Sequence, residues 1–428
     1  MTARIGVVGL SHLGIVASAC LAADGLDVIA VDGDAPTVDA LTSGKPPIYE
    51  PGLDSLLAAA APAFTTSYSA LANCGLVIIA VDTVTDAENQ SDLSVLEAHI
   101  EKVLPWVPAD GVVALMSQVP VGYTRRLLAK LQASRPDVRT RLYYWVETLV
   151  IGDAVSRYRR PERIIIGGPG AEAAAEPELD ALLARFGCPV FRMNYESAEL
   201  TKAAINFYLA TSVTFANVLA DLCETTGASM RAMLPALRGD RRIGPAAYIR
   251  PGLGIGGGNI ERDLVHLREL ADARGVDSTM FRLILARSAG RYAWLREALE
   301  RNAFACTREP RIAVWGLAYK KNTRSTKNSL TLRVIEDFAG RATLVIYDPA
   351  ATLPAPPPGT EIAVSAAAAL ADADALVILT DWDEFASFAP ETIHRALRRP
   401  AVVDAVGALD RRRAQAAGLT HVAVGEMA

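Results

Sequence analysis

Ile5-Gly-Val-Val-Gly9-Leu-Ser-His-Leu-Gly14 is an apolar run that breaks at a glycine and resumes as a helical pattern reaching Ala23. It reads as a buried strand, a tight turn and a helix opening against that strand. Gly9 and Gly14 hold the first and last places of the G-x-G-x-x-G fingerprint, which seats a dinucleotide's diphosphate on a helix N-terminus. Ser11 takes the middle place, where a glycine lets the backbone approach the diphosphate, so this copy is imperfect. Asp32 strengthens the reading. It ends the next strand pattern, Val28-Ile-Ala-Val-Asp32, about 20 residues on, where a carboxylate binds ribose hydroxyls. Gly33 and Asp34 follow, with no arginine beside them. A 2′-phosphate would meet negative charge there, which favours NAD over NADP. The alternative is a domain of this shape that has lost its nucleotide. His12 is expected to shield the diphosphate from the loop, not to catalyse.

Outward from this start, short Val/Ile/Ala runs at 4–8, 27–31, 75–80, 112–116, 163–166 and 190–192 alternate with Ala-rich helical patterns. From 198 to about 224 the pattern becomes one long helix with small and apolar residues on several sides. Such a helix suits a connection between two halves and a homodimer seam. A second alternation follows at 311–315, 343–346, 375–379 and 401–403, with the proline-rich stretch 353–358 as a surface loop. The expected architecture is α/β: two Rossmann-like doubly wound parallel-sheet domains joined by a long central helix. Its divisions are 1–196, 197–302 and 303–428.

At 428 residues the chain exceeds one core. A net charge of −5 and a pI near 5.7 provide no broad positive field, which argues against nucleic acid as a partner. Cys20, Cys74, Cys188, Cys223 and Cys306 are scattered, with no CxxC pair or His/Cys cluster. Reduced thiols in a cytoplasmic protein are expected, without disulfides or metal. No uninterrupted apolar run reaches about 18 residues, so no membrane span is expected. The apolar start holds Ser11, His12 and a turn at Asp24-Gly25, which speaks against a cleaved leader.

Pro251-Gly-Leu-Gly-Ile-Gly-Gly-Gly-Asn-Ile-Glu-Arg-Asp263 is the other informative stretch. Its five glycines permit close approach of backbone to a small polar ligand, and a helical pattern follows from Leu264. Lys202 and Asn206 lie four apart and share one helix face, flanked by Ala203, Ala204, Ile205 and Phe207. Lysines on helices are usually solvated; apolar neighbours make a half-buried ammonium aimed at a ligand the sharper reading.

These stretches resemble the UDP-glucose/GDP-mannose dehydrogenase family, whose glycine loop reads roughly Pro-Gly-x-Gly-x-Gly-Gly-Ser-Cys-Phe-Pro-Lys-Asp. The likeness continues through Gly44-Lys-Pro-Pro-Ile-Tyr-Glu-Pro-Gly52, Thr83-Val-Thr85, Asp92-Leu-Ser94, Glu196-Ser-Ala-Glu-Leu-Thr-Lys202 and Arg311-Ile-Ala-Val-Trp-Gly-Leu-Ala-Tyr-Lys320. The resemblance implies a nucleotide-sugar substrate, with a UDP-sugar favoured. It implies Gly9, Ser11, Gly14, Asp32, Thr83, Gln118 and Lys327 at the cofactor. Tyr248, Gly254, Gly256, Lys320 and Arg242 are implied at the substrate, Arg242 across a dimer contact. Glu147, Lys202, Asn206 and Asp263 match family positions that remove a proton and steady an alkoxide.

The departures fall where substrate chemistry happens. Asn259 takes the place of the nucleophilic cysteine and Gly258 the serine before it. Gln118 replaces a threonine, Lys327 an arginine, Ala246 a lysine and Val406 an arginine. Trp145-Val-Glu-Thr-Leu-Val-Ile-Gly152 replaces Asn-Pro-Glu-Phe-Leu-Arg-Glu-Gly. Such losses of basic residues imply a changed ligand. In the family a thiolate captures the aldehyde between two hydride transfers; a carboxamide is essentially non-nucleophilic and cannot. One two-electron step on a CH–OH carbon, in either direction, is therefore expected. The alternatives are full oxidation through the aldehyde hydrate and a non-catalytic nucleotide-sugar binder. A general 3-hydroxyacid-type dehydrogenase shares the Lys-x-x-x-Asn helix, but not the second alternation.

Overall fold

The computed structural model describes residues 4–86, 88–134, 141–170, 176–305 and 307–426. The chain forms two compact units, Met1–Ile205 and Asn206–Ala428. The first is built on β1 (Ile5–Val8), β2 (Val28–Val31), β3 (Ala63–Thr65), β4 (Leu76–Ile79), β7 (Val112–Leu115), β8 (Arg141–Trp145), β9 (Ile164–Gly168) and β10 (Val190–Asn194). A small hairpin of β5 (Val84–Thr85) and β6 (Ser91–Asp92) stands apart. The sheet order is β10-β9-β8-β7-β4-β1-β2-β3. The chain winds outward from β1 to β3, then returns to β4 on the other side of β1. That reversal opens a crevice at the carboxyl ends of β1 and β4, where doubly wound sheets bind nucleotides.

Every residue of β1, β4 and β7 is buried. Strands covered by helices on both faces require such continuous apolar runs. All pairs in the sheet are parallel except β8 with β9, which run antiparallel through Tyr144↔Gly167 and Trp145↔Ile166. The doubly wound parallel sheet is as expected, with this one reversal toward its edge. Strand β8 itself, Arg-Leu-Tyr-Tyr-Trp, lies outside the expected set because its bulk is aromatic and not Val/Ile.

The central helix Tyr195–Thr226 spans 32 residues, longer at both ends than its pattern suggests. By length and composition it is apolar enough to cross a bilayer, with a mean hydropathy of 1.4 over its best window, although charged residues such as Lys202 and Asp221 interrupt its apolar run. A third of that window is buried within the protein, and a core helix of a folded domain meets the same criterion.

The second unit holds the loop helix Asn259–Ala273, the helix Thr279–Asn302 and another sheet. Its strands are β11 (Arg311–Trp315), β12 (Thr343–Tyr347), β13 (Thr360–Ile362), β14 (Ala375–Ile378), β15 (Ala401–Asp404) and β16 (Thr420–Ala423). The order β13-β12-β11-β14-β15-β16 is parallel throughout and repeats the outward-and-return winding. The strands absent from the sequence reading, β13 and β16, are the two edges of this sheet. Edges bury less and carry weaker patterns. Cys20, Cys74 and Cys223 are buried free thiols, Cys188 is partly buried, and Cys306 lies outside the described residues.

Candidate active site

At the first turn, a Cβ on Gly14 would stand 1.7 Å from the Gly9 carbonyl oxygen, and one on Gly9 (φ +92°) would meet Val81 at 2.5 Å. Only glycine lets the helix His12–Ala23 open this tightly against β1. Its first amides then face the crevice, as a diphosphate needs. Asp32 accepts from the Leu10 amide at 2.6 Å and the Asp34 amide at 2.9 Å, which holds its carboxylate at the end of β2. These residues fit a dinucleotide: an anion seat at the helix start and a ribose acceptor one strand over. The bound nicotinamide would supply hydride acceptance.

Two side chains absent from the sequence reading, an imidazole and an ammonium, lie near Asp32. His99 Nε2 is 3.9 Å from its carboxylate, and Tyr68 and His99 Nδ1 are hydrogen-bonded at 2.8 Å. Lys102 Nζ stands 3.4 Å from where a Cβ on Gly33 would be. The ribose end is therefore less uniformly negative than local sequence implies. Both side chains come from the helix Ser94–Val103, some 70 positions after β2, so no local signal could reveal them. Thr83 donates to the Gln118 carbonyl at 2.6 Å, which ties the ends of β4 and β7 together. His12 begins the first helix and pairs with the buried Glu50 at 2.8 Å.

Lys202 is 9% exposed, and its ammonium lies 3.4 Å from Glu147 Oε2. The expected half-buried lysine is buried, with a carboxylate to hold or take its proton. Glu147 is also fixed by the Leu149 amide. One turn on, the Asn206 carboxamide donates to Asp263 at 2.5 Å, and Asp263 contacts the buried Arg262. The four residues therefore form two pairs, Glu147–Lys202 and Asn206–Asp263.

The glycine loop is shaped chiefly by protein. A Cβ on Gly254 would meet Ser288 at 2.8 Å, one on Gly257 the Tyr319 ring at 2.5 Å, and one on Gly258 the Lys327 stem at 3.1 Å. Gly252 and Gly256 are the roomy positions, with nothing closer than 3.8 Å. The helix starts at Asn259, five residues before its apolar pattern. Glu261 makes this possible by accepting from the Gly258 amide at 3.1 Å, the reciprocal half of a capping box. Burial pushes the Glu261 carboxyl above its usual range, opposed by hydrogen bonds from its own amide, Gly258 and Asn328. Tyr319 is raised to about 12, mainly by desolvation. Asn259 is exposed at the first helical position.

Of the expected substrate residues, Tyr248 is exposed, Lys320 lies over the Tyr319 ring, and Arg242 is solvated and paired with Asp240. The loss of basic groups at Val406 is partly offset. Arg250 donates to the Val406 carbonyl at 2.6 Å and reaches Asp381 at 3.4 Å.

A dinucleotide seat on a doubly wound sheet and a buried lysine–carboxylate pair define a nicotinamide-dependent oxidoreductase. Residues 3–186 match the NAD binding domain of the UDP-glucose/GDP-mannose dehydrogenase family, 196–287 its central domain and 313–411 its UDP binding domain. The chain belongs to this family, and NAD is its cofactor. It is 33% identical over 422 residues to the UDP-glucose 6-dehydrogenase of Pseudomonas aeruginosa, which covers 94% of this chain and 92% of that protein. The UDP-glucose 6-dehydrogenase of Rhizobium meliloti is 30% identical over 94% of each. A UDP-glucose dehydrogenase structure from Pyrobaculum islandicum superposes with a TM-score of 0.85 at 26% identity, covering 100% of this chain and 98% of its own.

Proposed function

We propose that the protein interconverts a CH–OH carbon of a UDP-sugar and its aldehyde or ketone in a single NAD-dependent two-electron step, as a homodimer. One observation carries this: an exposed asparagine, Asn259, stands at the first position of the loop helix, where the family places its nucleophile. A carboxamide there can hydrogen-bond a carbonyl oxygen or hold a hydrate, but forms no thioester.

The rest of the machinery suits the first oxidation. Lys202 steadies the developing alkoxide, Glu147 takes the carbinol proton through or beside it, and Asn206 is oriented by Asp263 to hold the substrate oxygen or a water. Two intact pairs at 3.4 and 2.5 Å favour a working catalyst over a non-catalytic binder. Gly9, Ser11, Gly14, Asp32, Thr83, Gln118 and Lys327 are assigned to the cofactor, and Tyr248, Gly254, Gly256, Lys320 and Arg242 to the substrate.

The experiment counts NADH formed per UDP-sugar consumed at completion, with mass analysis of the product. One NADH and a carbonyl product is the expected result. Two NADH with a uronate overturns the single step and points to the hydrate route.

A further inference from the structure

The amides that open the first helix face a carboxylate from the chain itself. Asp82 lies three residues beyond β4, and its Oδ2 stands 3.5 Å from the Leu13 amide nitrogen. Ser11 fixes it there: its hydroxyl accepts from the Asp82 amide at 2.9 Å and donates to the Ala80 carbonyl at 3.3 Å. The residue that breaks the fingerprint's middle glycine is thus the residue that staples the acid's loop. The two positions act as one device.

The charged groups facing Asp82 come from two places. His12, on the first helix, favours its charge and is itself paired with Glu50; Glu147, after β8, opposes its charge and is paired with Lys202. Asp82 is exposed to solvent at the mouth of the crevice, and desolvation by the atoms around it is the largest influence that raises its carboxyl above the ordinary range.

A helix N-terminus carries roughly half a positive charge, and its free amides bind one anion well. A diphosphate and a carboxylate at the same amides repel. We propose that Asp82 is a built-in competitor for the diphosphate of NAD. Its carboxylate holds the Leu13 amide until the dinucleotide displaces it, so cofactor affinity is set low by a residue outside the fingerprint and release is eased.

Calorimetric titration of the native protein and Asp82→Asn with NADH, ADP-ribose and adenosine tests this. The variant should bind NADH and ADP-ribose about tenfold more tightly, the effect of one nearby charge at a helix start. Adenosine, which lacks a diphosphate, should bind both proteins equally. Ser11→Ala keeps the acid but releases its loop, and should shift the two diphosphate ligands in the same direction by less. Unchanged or weaker NADH binding in Asp82→Asn, as a ribose-binding carboxylate would produce, overturns the proposal. So does a gain shared by adenosine.

Discussion

On the proposed single-step reading, residue 259 sets how far the chemistry runs. A thiol at this position would sit at a helix N-terminus, where its pKa falls and its thiolate becomes the nucleophile. Asn259→Cys is therefore expected to raise the NADH yield in a closed reaction from one toward two per UDP-sugar, with uronate appearing. A yield that stays at one would place the block at another departure, such as the altered stretch after Trp145. The candidate pair on the central helix was legible from spacing alone, since Lys202 and Asn206 fall four apart in an apolar context. Asp82 and Glu261 were not. An acid after a strand and an acid three places past a glycine are ordinary until the amide each one meets is known.

At the scale of the element, the glycine loop keeps its path because three of its glycines admit neighbouring side chains. Gly257 takes φ +89° and leaves no room for a Cβ beside the Tyr319 ring. Gly257→Ala should destabilise the protein by about 1–3 kcal/mol from backbone strain alone, read as a lower denaturant midpoint with weakened UDP-sugar binding. Gly252→Ala, with nothing within 4 Å and no positive φ, should stay within about 0.5 kcal/mol of the native protein. The loop's richness in glycine was legible from the sequence. That most of its glycines answer to Ser288, Tyr319 and Lys327 was not, because those residues lie 34 or more positions downstream of the glycines they meet. The helix start was likewise misread by five residues: Asn259 to Asp263 carry no apolar period, and the cap at Gly258 depends on Glu261 folding back.

At the scale of the whole molecule, the central helix leaves Tyr208, Phe215 and Leu222 exposed at 63%, 45% and 54%. They are seven apart, so they form one stripe. In the proposed homodimer, a second copy of the chain covers this stripe. Leu222→Asp should convert the dimer to a monomer in light scattering at micromolar concentration, while a surface change such as Glu269→Asp leaves the mass unchanged. The sequence alone determined the two strand–helix alternations, the long helix between them and the asparagine at position 259. Those features are written in local period, in glycine at turns and in the chemistry of single side chains. Only the tertiary structure decided the antiparallel β8–β9 pairing, the placing of His99 and Lys102 beside Asp32 and Gly33, and the pairings Glu147–Lys202, Asn206–Asp263 and Asp82–Leu13. Each joins positions 55 to 69 apart, or strands whose direction no local pattern encodes. Such contacts form when distant segments close on a common core, and the free energy that selects them belongs to the packed whole.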